Sequence, residues 1–179
     1  MEVTRSTGLR DGSTCLVRLT MPSDFPAIAA LRDHIASAES TIADTGEPTT
    51  PSLLGFTIAA LGQGGGVALT AVRNDEIAGN LLIERDPSPV KRHVAQFGVI
   101  VAPSCRSLGI GSLLIVQGEE WARSAGIRLL TLEVFESNTR ACMLYERLGF
   151  HSDGVRRNYI IDAKGTHNVV LMSKELHPD

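Results

Sequence analysis

The chain has 179 residues, of which 43% are hydrophobic and 21% are charged. This length suits one domain with a sizeable core, since domains typically run about 100–150 residues, and the sequence predicts a polar tail at 1–12 before a single domain at 13–179. A formal net charge of −3 argues against a dedicated nucleic-acid binder, which normally carries a basic surplus.

Two further observations bear on location and metal binding. No apolar run approaches the ~20 residues that a membrane span requires, and the first residues contain no apolar signal region. Cys15, Cys105 and Cys142 are widely spaced and match neither a metal-ligand motif nor a disulfide framework. We therefore expect a cytoplasmic protein with no metal site and with neither a membrane nor a nucleic-acid partner.

The hydrophobic pattern predicts a mixed α/β fold. In chain order the predicted elements are a strand at 14–20, helices at 24–38 and 52–61, strands at 67–73, 76–84 and 93–102, a helix at 109–125, a strand at 128–135, a helix at 139–148, and strands at 150–160 and 167–175. Residues 39–51 form a long loop of turn formers, and the glycine-rich 62–66 predicts a turn because it lacks the Lys-Ser/Thr of a phosphate loop. Gly98 predicts a bulge or a close backbone approach in its strand.

The first motif joins a buried strand to a helix and reads Arg106-x-x-Gly109-x-Gly111. Glycines allow the backbone to approach a bulky anion, and the first turn of a helix has unpaired N–H groups and a partial positive charge. A pyrophosphate fits such a site, and the Arg106 side chain would add a charge-assisted contact. The alternative for this stretch is a glycine-bearing helix start with a surface arginine.

The second motif follows the next buried strand, which carries Leu132-Glu133-Val134. Asn138, Ala141 or Cys142, and Tyr145 are spaced to share one face of the following helix. That face combines an amide, a small gap and a phenol, whereas a core face would carry leucine or isoleucine. The pattern indicates a binding surface.

Together, the two motifs and the Tyr145-Glu-x-x-Gly-Phe sequence over residues 94–150 resemble the GCN5-related N-acetyltransferase (GNAT) superfamily. Within the superfamily, three segments resemble sequences of two branches: HVAQFGV, ERLGF and GVRRNYI. One branch is the bacterial small-amine and amino-acid acetyltransferases, and the other is the ribosomal-protein alanine N-acetyltransferases. The resemblance implies a mixed, mostly antiparallel sheet of seven strands flanked by about four helices. It also implies direct acetyl transfer from acetyl-CoA to a primary amine of a small molecule or protein N-terminus, and a possible homodimer.

The resemblance also assigns site residues. The backbone of Val99, Ile100 and Val101 would pair with the pantetheine arm of acetyl-CoA, and the Asn138 side chain would contact the same arm. The pyrophosphate would be held by the loop and helix start, at Arg106, Ser107, Leu108, Gly109, Ile110, Gly111 and Ser112. Tyr145 would lie near the thioester sulfur, and an N–H near Val99 would bind the oxygen that becomes negative.

The chemistry requires an acid and a base. Tyr145 is the candidate acid for the departing thiolate, because a phenol of pKa about 10 is protonated at neutral pH; the alternative is an aromatic wall. Glu133 is the candidate base, twelve residues before Tyr145 as in the ribosomal-protein branch, and burial on its strand would raise its pKa. It is otherwise a structural carboxylate. Gln96 stands where the small-amine branch usually has glutamate, and glutamine cannot accept a proton, which leaves Glu133 or water.

The acceptor and the activity remain open. One candidate for the acceptor site is a stretch that is otherwise a solvated hairpin: Arg156, Arg157, Asn158 and Tyr159. Three acidic loop residues either attract a cationic acceptor or are ordinary solvated loop residues: Glu39, Asp44 and Glu47. Because of Gln96, a non-catalytic acyl-CoA-binding sensor is an alternative function. A nucleotide-binding domain is disfavoured because the motif lacks the residues of a phosphate loop.

Overall fold

The computed structural model describes residues 4–39, 41–43, 45–61 and 65–177, which form one mixed, mostly antiparallel sheet with helices packed on it. Within those residues the strands are β1 (Arg5–Gly8), β2 (Thr14–Leu19), β3 (Gly66–Arg73), β4 (Glu76–Arg85), β5 (Val94–Val101), β6 (Leu129–Phe135), β7 (His151–Asp162) and β8 (Gly165–Glu175). The helices are α1 (Phe25–Ala38), α2 (Pro51–Ala60), α3 (Ile110–Ser124) and α4 (Thr139–Arg147).

The sheet differs from the expected one in its number of strands. Over the described residues it has eight strands in the order β1-β2-β3-β4-β5-β6-β8-β7, so the expected count of seven is wrong. The additional strand, β1, lies in the segment predicted as a tail and pairs antiparallel with β2, from Arg5 opposite Val17 to Gly8 opposite Thr14. An edge strand is largely solvated and needs little apolar alternation, so RSTG gives no strand signal.

The other predicted elements are confirmed, with boundaries that shift by a few residues. The hairpin turn between β7 and β8 falls at the predicted residues 162–165, and α3 begins one residue after Gly109. Most of the glycine-rich 62–66 segment lies outside the described residues, so its predicted turn is not tested.

Alternate residues of β4 face opposite sides of the sheet. On one side Leu81 and Ile83 are buried against α3, so closely that a Cβ on Gly118 would lie 2.9 Å from the Ile83 side chain. On the other side Asn80, Leu82 and Glu84 alternate with them and lie beneath α1. The hydrophobic core therefore fills the α3 side, and polar side chains gather under α1.

The parallel pairing between β5 and β6 is short. It joins Val94–Gln96 to Leu129–Thr131, and both strands continue beyond it. Pairing of β5 with β4 runs without a register shift from Ala95 to Val101, so the bulge expected at Gly98 is wrong. The irregularity is instead an opening between β5 and β6, which begins after Gln96.

The helix above this opening is fixed at its start by an ion pair. The Arg18 guanidinium contacts the two Asp24 carboxylate oxygens at 2.6 and 2.9 Å, and the Met21 N–H donates to the same carboxylate at 2.8 Å. Asp24 is 5% exposed. The hydrogen bond from Arg18 holds the pKa of Asp24 below its usual value.

We expect Asp24→Asn to lower the free energy of unfolding at pH 7 by about 1–3 kcal/mol, because a buried charged hydrogen bond is lost. A carboxyl whose folded pKa is lowered stabilises above its unfolded pKa of about 3.9 and loses this contribution as the pH falls through the folded value. Urea unfolding from pH 7 to pH 3 should show the difference between variant and wild type shrinking in acid. Asp11→Asn, at a more exposed pair with Arg73, is the matched control and should lose less. A difference that is constant with pH would contradict the ion-pair explanation.

The β7–β8 hairpin contacts the far end of α1. The ammonium group of Lys164, in the hairpin turn, donates to the carbonyl oxygens of Ala36 and of Glu39, the latter at 2.6 Å. These carbonyls lie at the C-terminal end of the helix, where its partial negative charge favours a cation. The contact joins the strands beyond β6 to the helix above β4. No helix in the described ranges is both long and apolar enough to cross a membrane.

Candidate functional site

A cavity of about 920 Å³ occupies the opening between β5 and β6 and continues to the start of α3. It brings together nearly all the residues that the sequence predicted. Those that line it are Val99, Ile100, Val101, Arg106, Ser107, Gly109, Ile110, Gly111, Ser112, Glu133, Asn138 and Tyr145. Leu108 differs, because its side chain packs against the hydrophobic core.

The backbone of β5 presents unpaired polar groups to this cavity. The Val94 carbonyl accepts from the Asp86 N–H and the Ala102 N–H donates to Ala78, both on the β4 side, whereas the Ala95 carbonyl accepts from the Thr131 hydroxyl on the β6 side. Because backbone groups alternate sides along a strand, the Phe97 carbonyl and the peptide groups of Val99 and Val101 face the cavity beyond the last pair with β6. Those of Ile100 face β4, so Ile100 lines the cavity with its side chain.

The start of α3 presents N–H groups at the other end of the cavity. Ser107 and Gly109 have positive φ angles of 63° and 100°, which turn the chain sharply into the helix. The first helical bond runs from the Leu113 N–H to the Gly109 carbonyl at 3.0 Å, so the N–H groups of Gly109 to Ser112 precede it. An ideal Cβ placed on Gly109 meets no described atom within 4 Å. This geometry suits a large anion.

Arg106 was expected to contact a pyrophosphate as a free cation, but it is already paired with a carboxylate. Its Nη1 contacts the Glu39 carboxylate at 2.7 Å, and its Nε donates to the Val101 carbonyl at 3.3 Å. The hydrogen bond from Arg106 lowers the pKa of Glu39. The negative charge of Glu39, which was expected to attract a cationic acceptor, is therefore largely neutralised by Arg106. Asp44 lies outside the described residues, and Glu47 is exposed.

Asn138 lies at the start of α4 rather than within the helix. Its side-chain oxygen accepts a hydrogen bond from the Ala141 N–H at 3.2 Å, which caps the helix. The amide NH₂ remains available toward the cavity that Asn138 lines. The Asn138 side chain thus both caps α4 and can donate a hydrogen bond to a ligand.

Tyr145 is buried on α4 between two phenylalanines. Its ring makes edge contacts with Phe97 and Phe150, at centroid distances of 5.9 and 6.1 Å, and it is 7% exposed. Burial raises the pKa of Tyr145 to about 12. The phenol is therefore fully protonated at neutral pH and can donate a proton or a hydrogen bond.

Glu133 lies on β6 as predicted, but its expected burial is wrong. Its side chain is 33% exposed, and its carboxylate pairs with Arg156 Nη1 at 2.8 Å. Arg156 reaches Glu133 from β7, across the intervening strand β8. Arg156 also lies 4.6 Å from the Tyr159 ring centroid.

The expected acceptor residues of the hairpin fall outside the cavity. Arg156, Arg157, Asn158 and Tyr159 are exposed, and they are absent from the described residues that line it. The side chains that sequence reasoning missed come instead from β4 and α1, namely Asn80, Leu82, Glu84 and Arg32. The available sequence signal is that polar Asn80 and Glu84 alternate with the apolar Leu81 and Ile83 along β4.

The three cysteines are free thiols that differ in burial, and Cys142 is only partly buried. Cys15 and Cys105 are buried in the core, and burial raises the pKa of Cys142. Within the ranges that the structure describes, no three side chains of His, Cys, Asp or Glu gather as metal ligands.

Comparison with known proteins supports the family resemblance found in the sequence. A model of the acetyltransferase (GNAT) family matches residues 29–150. The ribosomal protein bS18-alanine N-acetyltransferase of Salmonella typhimurium is 35% identical over 77 residues, which are 43% of this chain and 52% of the relative. The L-amino acid N-acetyltransferase AaaT of Escherichia coli is 29% identical over 97 residues, 52% of this chain and 58% of the relative. The chain thus spans little more than half the length of these curated relatives.

A solved structure has the same fold over nearly its whole length. The structure of yncA from Salmonella typhimurium with its cofactor acetyl-CoA has a TM-score of 0.85 and 17% sequence identity, over 92% of this chain and 95% of that chain.

Proposed function

Because this chain belongs to the acetyltransferase (GNAT) family, we propose that it transfers an acetyl group from acetyl-CoA to a primary amine of a small molecule or a protein N-terminus. The observation that carries the proposal is the continuity of the cavity. The opening between β5 and β6 leads directly to the unpaired N–H groups at the start of α3. A long substrate with an amide-bearing arm and a pyrophosphate matches both ends.

The residues of the cavity fit such a substrate. The Phe97 carbonyl, the Val99 peptide groups and the Val101 N–H, which have no strand partner, offer donors and acceptors to the amides of a pantetheine arm, as a neighbouring strand would. Asn138 adds its free NH₂. The N–H groups of Gly109 to Ser112 and the open space at Gly109 suit the pyrophosphate.

The same residues support direct transfer. A cavity-facing N–H near Val99 would stabilise the negative charge that develops on the acetyl oxygen. Tyr145, kept protonated by burial, would donate a proton to the departing thiolate, since a thiol has a pKa of about 8.5. For the amine proton, the described lining of the cavity offers two carboxylates, Glu133 and Glu84.

Release of free CoA thiol from acetyl-CoA should be measured with amino acids, peptides beginning with alanine or serine, polyamines and aminoglycosides. We expect turnover with at least one class. Turnover confined to peptides would indicate a protein N-terminus as the acceptor, and selective turnover of one small amine would indicate a metabolic or detoxifying role. Tight acetyl-CoA binding without turnover across the panel would contradict the enzymatic proposal and favour the non-catalytic acyl-CoA sensor.

A further inference from the structure

The two carboxylates of the cavity differ in what holds them. Glu133 is paired with Arg156 at 2.8 Å. Glu84, exposed on β4, has no hydrogen-bond or ion-pair partner among the residues that the structure describes. A carboxylate that faces a cavity without a protein partner is free to contact a substrate cation.

The strand register places Glu84 beside Gln96. The two residues are directly opposite each other in the antiparallel β4–β5 pair, so their side chains share one face with Cβ atoms about 4.5–5.5 Å apart. On its other side Glu84 is opposite Gly66 of β3, which has no side chain. Gln96 is therefore the one directly opposed cross-strand side chain of Glu84 on the sheet as described.

This pair stands at the closed end of the opening. Gln96 is the last β5 residue that pairs with β6, opposite Thr131, and the backbone groups without a strand partner begin at the Phe97 carbonyl. Gln96 and Glu84 both line the cavity, on the face that α1 covers. An amine that approaches the acetyl group from that face meets the two side chains.

We propose that Glu84 supplies the proton acceptor that Gln96 cannot be, taking the proton of the acceptor ammonium directly or through one water. The inference rests on the proposed acetyl transfer. Gln96 would bridge the two groups, since its amide oxygen accepts from the ammonium and its NH₂ donates to the carboxylate. Compared with a glutamate at position 96, the carboxylate thus lies on the neighbouring strand β4, and the Gln96 amide binds the amine.

The proton and electron balance is complete with these groups. An N–H bond of the ammonium breaks toward Glu84, and the freed electron pair forms the C–N bond with the acetyl carbon. The C–S bond then breaks, and the thiolate receives a proton from the Tyr145 hydroxyl. Tyr145 regains a proton when the nitrogen loses its second one, by way of solvent, and Glu84 releases its proton to solvent.

The test uses four variants of the full chain in the CoA-release assay, with an amine that the wild type acetylates. We expect Glu84→Gln to lower kcat by about 10²-fold, the lower end of what general-base catalysis contributes, with KM for acetyl-CoA unchanged. Adding Gln96→Glu to that variant should restore most of the rate, because the carboxylate returns to the same face. Glu76→Gln, at the far end of β4, is the matched control, and Glu133→Gln should lose less activity than Glu84→Gln.

The outcomes separate this inference from the proposed function. Wild-type turnover with an unchanged rate in Glu84→Gln would overturn the inference alone, as would a large loss in Glu133→Gln beside normal activity in Glu84→Gln. Loss in Glu84→Gln without recovery in the double variant would indicate a structural role and would also overturn it. An inactive wild type that still binds acetyl-CoA would remove the proposed function, and the inference with it.

Discussion

Replacing Tyr145 by phenylalanine is expected to lower kcat by about 10²–10⁴-fold while KM for acetyl-CoA changes little. The hydroxyl is the only group removed, and the edge contacts of the ring with Phe97 and Phe150 remain. Without that proton donor the thiolate must leave unprotonated or take a proton from water. Steady-state CoA release and acetyl-CoA titration measure the two constants separately.

The chain offers a matched control for this substitution. Its other tyrosine, Tyr159, is 51% exposed and does not line the described cavity, so Tyr159→Phe should leave kcat near the wild-type value. An unchanged kcat in Tyr145→Phe would refute the acid role and leave Tyr145 as an aromatic wall. A raised KM for acetyl-CoA with normal kcat would instead assign the hydroxyl to cofactor binding.

Gly109→Val is expected to weaken acetyl-CoA binding by ~10²-fold or more, which corresponds to at least about 2.8 kcal/mol. A Cβ at this position meets no described protein atom within 4 Å, so the branched side chain would project into the space proposed for the pyrophosphate. Isothermal titration with acetyl-CoA measures the loss directly.

Backbone strain must be separated from this steric effect, because Gly109 has a φ angle of 100° that valine adopts only at a cost of about 1–3 kcal/mol. Gly126, just beyond the other end of α3, has a φ angle of 77° and equally open surroundings, but it does not line the described cavity. Gly126→Val should therefore be destabilised in urea unfolding to a similar extent and still bind acetyl-CoA. Near-normal affinity in Gly109→Val would contradict the proposed pyrophosphate site.

The parts of the site that the sequence predicted well are those set by local sequence. Gly109 and Gly111 at a strand-to-helix junction specify a helix start with free N–H groups, whatever the rest of the chain does. The spacing from Asn138 to Tyr145 likewise places both residues along one short helix beside the cavity. Periodicity together with helix caps, glycine stops and turn residues was sufficient for most helices and strands.

The parts that were missed depend on contacts between distant segments. Arg106 and Glu39 are 67 positions apart, and Glu133 and Arg156 are 23 positions apart on different strands. Glu84 stands opposite Gln96 through a specific strand register that alternation does not determine. A charged side chain pairs with whichever opposite charge the fold brings near it. The ion-pair partner of each carboxylate therefore cannot be predicted from local sequence.

The short ladder between β5 and β6 links the stability of the fold to its substrate supply. Three residue pairs join the two strands, and beyond them the β5 backbone groups that face β6 have no strand partner in the described chain. A ligand that fills the opening of the folded chain alone adds about 2.7 kcal/mol to the free energy of unfolding at a hundred times its Kd. Under the proposed function, falling acetyl-CoA would reduce both the rate of acetylation and the free energy of unfolding.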